Sequence, residues 1–172
     1  MTHIRPITDA DIDEVAAVHV RTWQVAYAGI VPDDYLAAMD PAVNAERRRA
    51  NLAPAGSQTL VAVVDGRIAG FASFGPYRRR DSAPDPGMGE LYAIYVDPDR
   101  WGHGAGRLLL EAAKDGLTAA GFPDMRLWVL TGNTGARRFY EKMGLAPDGT
   151  AQNYTPRGTA VELPELRYAT TL

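Results

Sequence analysis

Three glycines on alternate positions are the residues best placed to do chemistry in this sequence, in the run Trp101-Gly102-His103-Gly104-Ala105-Gly106. The run follows an apolar stretch typical of a buried strand and precedes leucines and alanines at helical spacing. Because glycine has no Cβ, a ligand can approach the backbone, and the free N–H groups at a helix start favour an anion. The loop predicts a phosphate or pyrophosphate site, and the alternative is a tight turn that binds nothing.

Two common phosphate-binding patterns do not fit this loop. A Walker loop needs Lys-Ser or Lys-Thr after its last glycine, but Arg107 follows Gly106. In a G-x-G-x-x-G dinucleotide fingerprint that starts at Gly102, the last glycine position falls on Arg107. Such a fingerprint also opens the first strand–helix unit of a parallel fold, whereas mostly antiparallel strands are predicted to precede this loop. A nucleotide-binding protein of another kind remains an alternative.

The composition excludes several other kinds of site. The chain has 172 residues and no cysteine, so disulfides, thiolate metal sites and a cysteine nucleophile are excluded. Its three histidines are not at metal-ligand spacing, and we predict no metal. The net charge of −3 argues against nucleic acid or an anionic membrane as the partner. With no signal-peptide pattern and no apolar run long enough to span a bilayer, we expect a cytoplasmic protein.

The elements that must position the loop can be read from periodicity and turn residues. We predict, in order, a strand at 3–6, a helix to about Tyr27, a second helix after Pro32, a hairpin of 59–64 and 67–74 around Asp65-Gly66, a surface loop at 75–89, a strand at 90–96, a helix ending at Gly121, a strand at 125–130, a helix from Asn133 to Gly144, and strands at 146–154 and 161–169. The strand–helix–strand order around the loop predicts one parallel pair. Residues 1–172 should therefore form a single α+β domain around a mixed, mostly antiparallel sheet.

Two longer patterns surround and follow the loop. In Leu91–Leu110, the residues Tyr95-Val96-Asp97-Pro98 lead into the three glycines. In the second stretch, Asn133, Ala136 and the run Phe139–Leu145 match the pattern N-x-x-A-x-x-F-Y-x-K-x-G-F, except that leucine replaces the last phenylalanine. Together these stretches resemble the motifs of the GCN5-related N-acetyltransferase (GNAT) family. Trp101 departs from the Gln or Arg that is common before the first glycine.

The resemblance implies a fold and an activity. The fold is a GNAT-like layered α/β arrangement, with about six to seven strands and about four helices in the order given above. The activity is transfer of an acetyl group from acetyl-coenzyme A to the amine of a small molecule or peptide, by direct attack in a ternary complex. A noncatalytic coenzyme A-binding sensor or interaction module is the alternative, and a homodimer is an expected form of assembly.

The resemblance also implies which residues contact the cofactor. The pantetheine arm would lie along Ile94, Tyr95 and Val96 and hydrogen bond like an added strand. This requires that strand to separate from the strand at 125–130. The expected cofactor-binding residues are Ile94, Tyr95, Val96, Trp101, Gly102, His103, Gly104, Ala105, Gly106, Arg107, Asn133 and Lys142. Asn133 is equally well explained as a helix cap.

Catalytic and acceptor-side roles fall on five further residues. Tyr140 matches the family tyrosine that protonates the departing thiolate, and its alternative role is core packing. Glu90 is the candidate general base, unless it is only an exposed strand end. Trp23, Tyr27 and Tyr35 lie on the two early helices that would cover the acceptor, although core packing would also explain them.

Overall fold

The computed structural model describes residues 1–51, 54–79 and 84–172. Within that part of the chain it has seven strands and five α-helices. Their bounds are β1 (Thr2–Pro6), α1 (Ile12–Ala26), α2 (Asp33–Ala38), α3 (Pro41–Ala50), β2 (Gln58–Val64), β3 (Arg67–Arg78), β4 (Pro84–Val96), α4 (Ala105–Ala119), β5 (Asp124–Leu130), α5 (Thr134–Lys142), β6 (Ala146–Tyr154) and β7 (Leu163–Thr171). Short 3-10 turns precede α1 and α4.

The strands form one sheet in the order β1-β2-β3-β4-β5-β7-β6. All neighbouring strands run antiparallel except β4 and β5, which are parallel and are joined through α4. The hairpin turn between β2 and β3 has positive φ at both Asp65 (51°) and Gly66 (77°), as a type I′ turn requires. The predicted mixed, mostly antiparallel sheet is confirmed.

The prediction of a surface loop over residues 75–89 was wrong for most of that range. β3 continues to Arg78 and β4 begins at Pro84, while residues 80–83 lie outside the described part. The pairing shifts register after Ser73 and again after Pro76. These irregularities let the strands include residues that do not fit a regular hydrogen-bonded ladder. Prolines and glycines, which usually indicate a loop, here occupy irregular strand positions.

The prediction of one helix after Pro32 was incomplete, because the chain forms two helices there. α2 ends at Ala38, and α3 starts afresh at Pro41. Asp40 caps α3, since its Oδ1 accepts from the N–H of Ala42 at 2.8 Å. Arg47, Arg48 and Arg49 lie in the last turn of α3.

Helices cover both faces of the sheet. Alternate residues of a strand point to opposite faces, and on β3 the side chain of Ala72 packs with α4 whereas that of Phe71 packs with α1. The α4 side holds the larger core, which includes Leu109, Met125 and Tyr168. In the described ranges, no helix is long and apolar enough to cross a membrane.

Candidate active site

A cleft opens where β4 and β5 stop pairing. The two strands pair only at Gly89 with Met125 and at Glu90 with Arg126. Immediately afterwards β4 bulges, because Ala93 and Leu91 pair with consecutive residues of β3 and leave Tyr92 as the extra residue. A bulge bends its strand, so β4 turns away from β5. The space between them forms part of a cavity of about 710 Å³.

The edge of β4 that faces this cavity keeps main-chain groups unpaired by β5. The N–H of Asp97 donates to the carbonyl of Ala69 on the β3 side at 2.8 Å. Since antiparallel strands alternate their hydrogen-bonding direction, the main-chain groups of Val96 and Ile94 point to the cavity. The carbonyl of Val96 accepts from the indole N–H of Trp101 at 2.7 Å. The groups of Ile94 and the N–H of Val96 thus form the edge that an added strand would need.

The glycine loop leads directly into α4. Gly102 and Gly104 have positive φ (79° and 87°), and Gly104 is the N-cap of the helix. The first N–H groups of α4 therefore have no partner inside the helix and carry its positive dipole end. Gly106 differs, because its φ is ordinary and an added Cβ would meet the ring of Phe139 at 3.5 Å, a normal contact distance. The loop's geometry requires glycine at 102 and 104 rather than at all three positions.

Of three side chains expected at the phosphate end of the cofactor, only one borders the cavity. Arg107 borders the cavity and pairs with Glu111 one turn later at 3.0 Å. The ring of His103 turns back to the carbonyl of Trp101, 2.8 Å from Nδ1, and does not line the cavity. Lys142 is exposed outside the cavity lining.

Two motif residues of the second stretch hold α5 in position. The Oδ1 of Asn133 accepts from the N–H of Ala136 at 3.2 Å, so this residue caps α5 while it also borders the cavity. Arg137 points inward, where its Nε donates to the Tyr168 hydroxyl at 3.0 Å and its Nη1 to the carbonyl of Thr131 at 3.1 Å. Arg137 is therefore committed to anchoring the helix.

Tyr140 lies in the wall of the cavity and is only 8% exposed. Burial raises its pKa well above the ordinary value of a phenol, with a smaller contribution from Tyr95. The group is therefore a neutral O–H donor at physiological pH. Its hydroxyl has no hydrogen-bond partner among the described residues, whereas its ring packs against Phe139 and Tyr168.

Glu90 is buried, but outside this cavity. It is 2% exposed, and its carboxylate accepts from the N–H of Arg78 at 2.8 Å and from the guanidinium of Arg78 at 3.0 Å. The side chain faces a separate recess of about 220 Å³, and Trp128 borders both spaces. The other residues that line the recess are Tyr77, Arg78, Arg79 and Gln152. A base role for Glu90 stays a prediction, and it would require water or displacement of Arg78.

The three early aromatics form one cluster, of which only part reaches the cavity. Tyr27 lines it, and its ring contacts Trp23 edge-on with centroids 4.7 Å apart. Trp23 is 8% exposed and packs between Tyr27 and Tyr35, so both Trp23 and Tyr35 lie behind the cavity wall. Tyr27 is therefore the member of this cluster that borders the cavity, and contact of all three with an acceptor stays a prediction.

Two residues on the last two strands were not predicted from sequence, Tyr154 beside the aromatic cluster and the buried Glu165. Tyr154 on β6 lies 6.3 Å from Trp23, ring centroid to ring centroid. Glu165 on β7 is 9% exposed and accepts from Gln152 at 2.6 Å. The available signal was an acid at an inward position of an alternating strand, which normally requires a partner.

Comparison with known proteins agrees with this geometry. The model of the family described as "Acetyltransferase (GNAT) family" matches residues 19–145. The uncharacterized N-acetyltransferase YuaI of Bacillus subtilis is 36% identical over 138 residues, covering 77% of this chain and 74% of that protein. A probable N-acetyltransferase of Mycobacterium tuberculosis is 30% identical over 168 residues, covering 96% and 91%.

Solved structures share the fold. The PaiA N-acetyltransferase of Thermoplasma acidophilum, crystallised with coenzyme A, gives a TM-score of 0.72 at 21% identity and covers 100% of this chain and 99% of that one. A GCN5-related N-acetyltransferase of Rhodopseudomonas palustris gives 0.74 at 22% identity, covering 100% and 96%. The chain therefore belongs to the acetyltransferase (GNAT) family.

Proposed function

We propose that this chain transfers the acetyl group of acetyl-coenzyme A to an amine of a small molecule or peptide by direct attack. The observation that carries the proposal is the meeting of three features in one cavity. These are the unpaired edge of β4, the glycine-capped start of α4, and the free hydroxyl of Tyr140. Structural neighbours crystallised with coenzyme A or acetyl-coenzyme A support the choice of donor.

The cleft fits coenzyme A as a bound substrate. The N–H groups that follow Gly104 would hold the pyrophosphate, because they converge with the helix dipole and no Cβ intervenes. The edge groups of Ile94 and Val96 would pair with the amides of the pantetheine arm. A cavity of about 710 Å³ lies in the range of small-molecule sites.

The reaction then needs only one proton donor from the cavity wall. The nitrogen lone pair of the amine attacks the thioester carbonyl carbon, the carbon–sulfur bond breaks, and the sulfur leaves as a thiolate. Tyr140 donates its proton to that sulfur. Burial raises the pKa of this phenol, so the hydroxyl is protonated and able to donate when the thiolate leaves. The substrate ammonium must lose one proton before it attacks, and the new amide nitrogen loses a second as the carbon–sulfur bond breaks. Water accepts these protons, directly or on the way to Glu90, and the tyrosinate recovers its proton from solvent.

A noncatalytic coenzyme A-binding module is the second candidate, and one observation favours it. Among the described residues, no aspartate or glutamate lines the cavity. Such a module would bind coenzyme A and release no free thiol with any amine. Release of thiol from acetyl-coenzyme A with a panel of amines therefore separates the two candidates.

Coenzyme A binding is tested by a matched pair of glycine substitutions at the two ends of α4. Gly104 and Gly121 both have left-handed φ (87° and 89°) with open space around the Cβ position. Gly104→Ala and Gly121→Ala should each lose about 1–2 kcal/mol of stability. Only Gly104→Ala should weaken coenzyme A binding, by roughly tenfold, because it disturbs the N–H groups that hold the pyrophosphate. Calorimetric affinities that are equal in the two variants would overturn the phosphate site.

A further inference from the structure

Arg48 is a half-buried arginine on the face of the sheet that α1 covers. It reaches back from α3, and its plane covers the ring of Phe71 with 4.7 Å from Cζ to the ring centroid. Its Nε donates to Oδ1 of Asn44 at 2.9 Å, and its Nη2 to Nδ1 of His19 at 2.7 Å. Burial lowers the pKa of Arg48, which reflects the cost of holding the charge there. No carboxylate of the described residues pairs with it.

Four other arginines, on β3, β5 and β7 and directly after β3, each have a carboxylate within 3.0 Å. The pairs are Arg78–Glu90 (3.0 Å), Arg79–Asp85 (2.7 Å), Arg126–Asp124 (2.6 Å) and Arg167–Asp148 (2.6 Å). Within the described part of the chain Arg137 also has no paired carboxylate, but its hydrogen bond to the Tyr168 hydroxyl and, to a smaller extent, the charge of Glu141 raise its pKa. Because a partly buried charge without a counter-ion is costly, the lack of any described acid beside Arg48 needs an explanation.

The imidazole beside Arg48 does not compensate its charge. A guanidinium can only donate, so Nδ1 of His19 accepts, and the proton of the neutral ring is on Nε2. Burial, with a smaller contribution from Arg48, lowers the pKa of His19 to about 3. His19 is therefore uncharged at neutral pH, and the positive charge of Arg48 remains unbalanced.

Arg48 is one aromatic layer away from the cleft. The ring of His19 lies 5.1 Å from that of Tyr95, and Phe71 lies 5.5 Å from the same ring. Tyr95 lines the cavity. Nη1 of Arg48 has no hydrogen-bond partner among the described residues and is not sealed from solvent.

We propose that the acetyl acceptor carries a carboxylate, and that Arg48 binds this group while the amine reaches the thioester beside Tyr140. An incoming carboxylate would supply the counter-ion that the fold omits and would accept from Nη1. The body of the acceptor would cross the aromatic surface of Tyr95 and Tyr27, which suits a short apolar peptide whose N-terminal amine and C-terminal carboxylate lie at opposite ends. This inference rests on the proposed function, because it assigns the substrate class of that site.

The test compares ligands that differ only in the anionic group. Short apolar peptides with a free N-terminus are assayed beside their C-terminal carboxamides, with acetyl-coenzyme A as donor, and kcat/KM is measured for each pair. The wild type should prefer the carboxylate by about 10–100-fold. Arg48→Gln should remove the preference by lowering kcat/KM of the carboxylate alone. Arg49→Gln is the matched control, because Arg49 is exposed and pairs with Asp13, and it should retain the preference.

A binding measurement keeps this test separate from that of the proposed function. Binding of the N-acetyl peptides and of their C-terminal carboxamides to the protein–coenzyme A complex is measured by calorimetry. Tighter binding of the carboxylate, lost in Arg48→Gln, supports the site even if turnover fails, and failed turnover would count against the function alone. Equal binding of both ligands by the wild type would overturn the carboxylate site without any variant. A purely structural Arg48 would instead lower the melting temperature and weaken both ligands equally.

Discussion

Tyr140 and Tyr168 are two buried phenols at α5 whose hydroxyls have different surroundings. The Tyr168 hydroxyl accepts from Arg137 at 3.0 Å and donates to Glu141 at 2.9 Å, so it is fully used in holding the helix. The Tyr140 hydroxyl has no described partner and faces the cavity. The two residues therefore offer the same substitution in a structural and in a proposed catalytic setting.

Tyr140→Phe deletes only the hydroxyl and keeps the ring against Phe139 and Tyr168. If this hydroxyl protonates the thiolate, kcat should fall about 10²–10⁴-fold while coenzyme A still binds. The melting temperature should change little, because no hydrogen bond to a described residue is lost. Single-turnover kinetics is the appropriate measurement, since slow product release can mask a chemical defect.

The matched control is Tyr168→Phe. This variant should lose about 1–3 kcal/mol of stability, because the hydroxyl makes two hydrogen bonds, and it should keep near-normal turnover. A Tyr140→Phe enzyme with wild-type single-turnover speed would contradict the assignment of Tyr140 as the general acid.

Helix α4 carries the glycine loop, and its position depends on close contact with the sheet at Gly116. A Cβ at Gly116 would lie 2.6 Å from the Phe74 ring. Phe74 is only 1% exposed, so its ring has little space to move away. Gly116→Ala should therefore destabilise the protein by about 1–3 kcal/mol through overpacking, although alanine is the better helix former. Chemical denaturation measures the change.

Gly135 in the first turn of α5 is the control for this prediction. A Cβ there would meet nothing closer than 4.0 Å, so Gly135→Ala should be neutral or stabilising by up to about 1 kcal/mol. Stabilisation by Gly116→Ala as well would show that α4 can move away from Phe74, in contradiction to the tight packing.

Local signals predicted the elements that are fixed by neighbouring residues. The Asp65-Gly66 turn and the glycine loop were located from sequence because their backbone conformations are encoded by the residues themselves. The break between α2 and α3 carried a local signal too, since Asp40 before Pro41 is a capping residue before a favoured first position. The prediction of a single helix in this region missed that capping signal.

Other features depend on contacts between distant parts of the chain. Strand pairing at Pro76 and Gly89 depends on register shifts that no local pattern indicates. The carboxylate site at Arg48 requires α3 to pack over Phe71 of β3, and an arginine run alone suggests only an exposed face. Such partners are set by topology, so sequence spacing cannot supply them.

Across the whole molecule, acid should unfold the protein partly through His19. The ring is packed among Trp23, Phe71 and Tyr95, and burial lowers its pKa to about 3. In the unfolded chain a histidine has a pKa of about 6.5. The unfolded state therefore binds a proton that the folded state rejects, and stability falls as the pH drops from about 6.5 to about 3.

A second group acts in the same direction at lower pH. The ion pair with Arg5 holds the pKa of Asp11 well below its usual range. A carboxylate with a depressed pKa stabilises the fold above its unfolded value, about 3.9, and this stability is lost as the pH falls further. Above pH 5 Asp11 contributes almost no slope, so in that window it does not mask the contribution of His19.

His19→Gln should flatten the pH dependence of stability between pH 7 and pH 5. Protonation of His19 in the unfolded state should cost the wild type about 2 kcal/mol of unfolding free energy over this range, and glutamine cannot titrate. Urea unfolding at the two pH values, without coenzyme A, gives the difference. His103→Gln is the control, because its ring is exposed in the glycine loop, and it should retain the wild-type slope. A wild-type slope in His19→Gln would mean that the folded protein accommodates a charged imidazole beside Arg48, which would contradict the unbalanced charge inferred there.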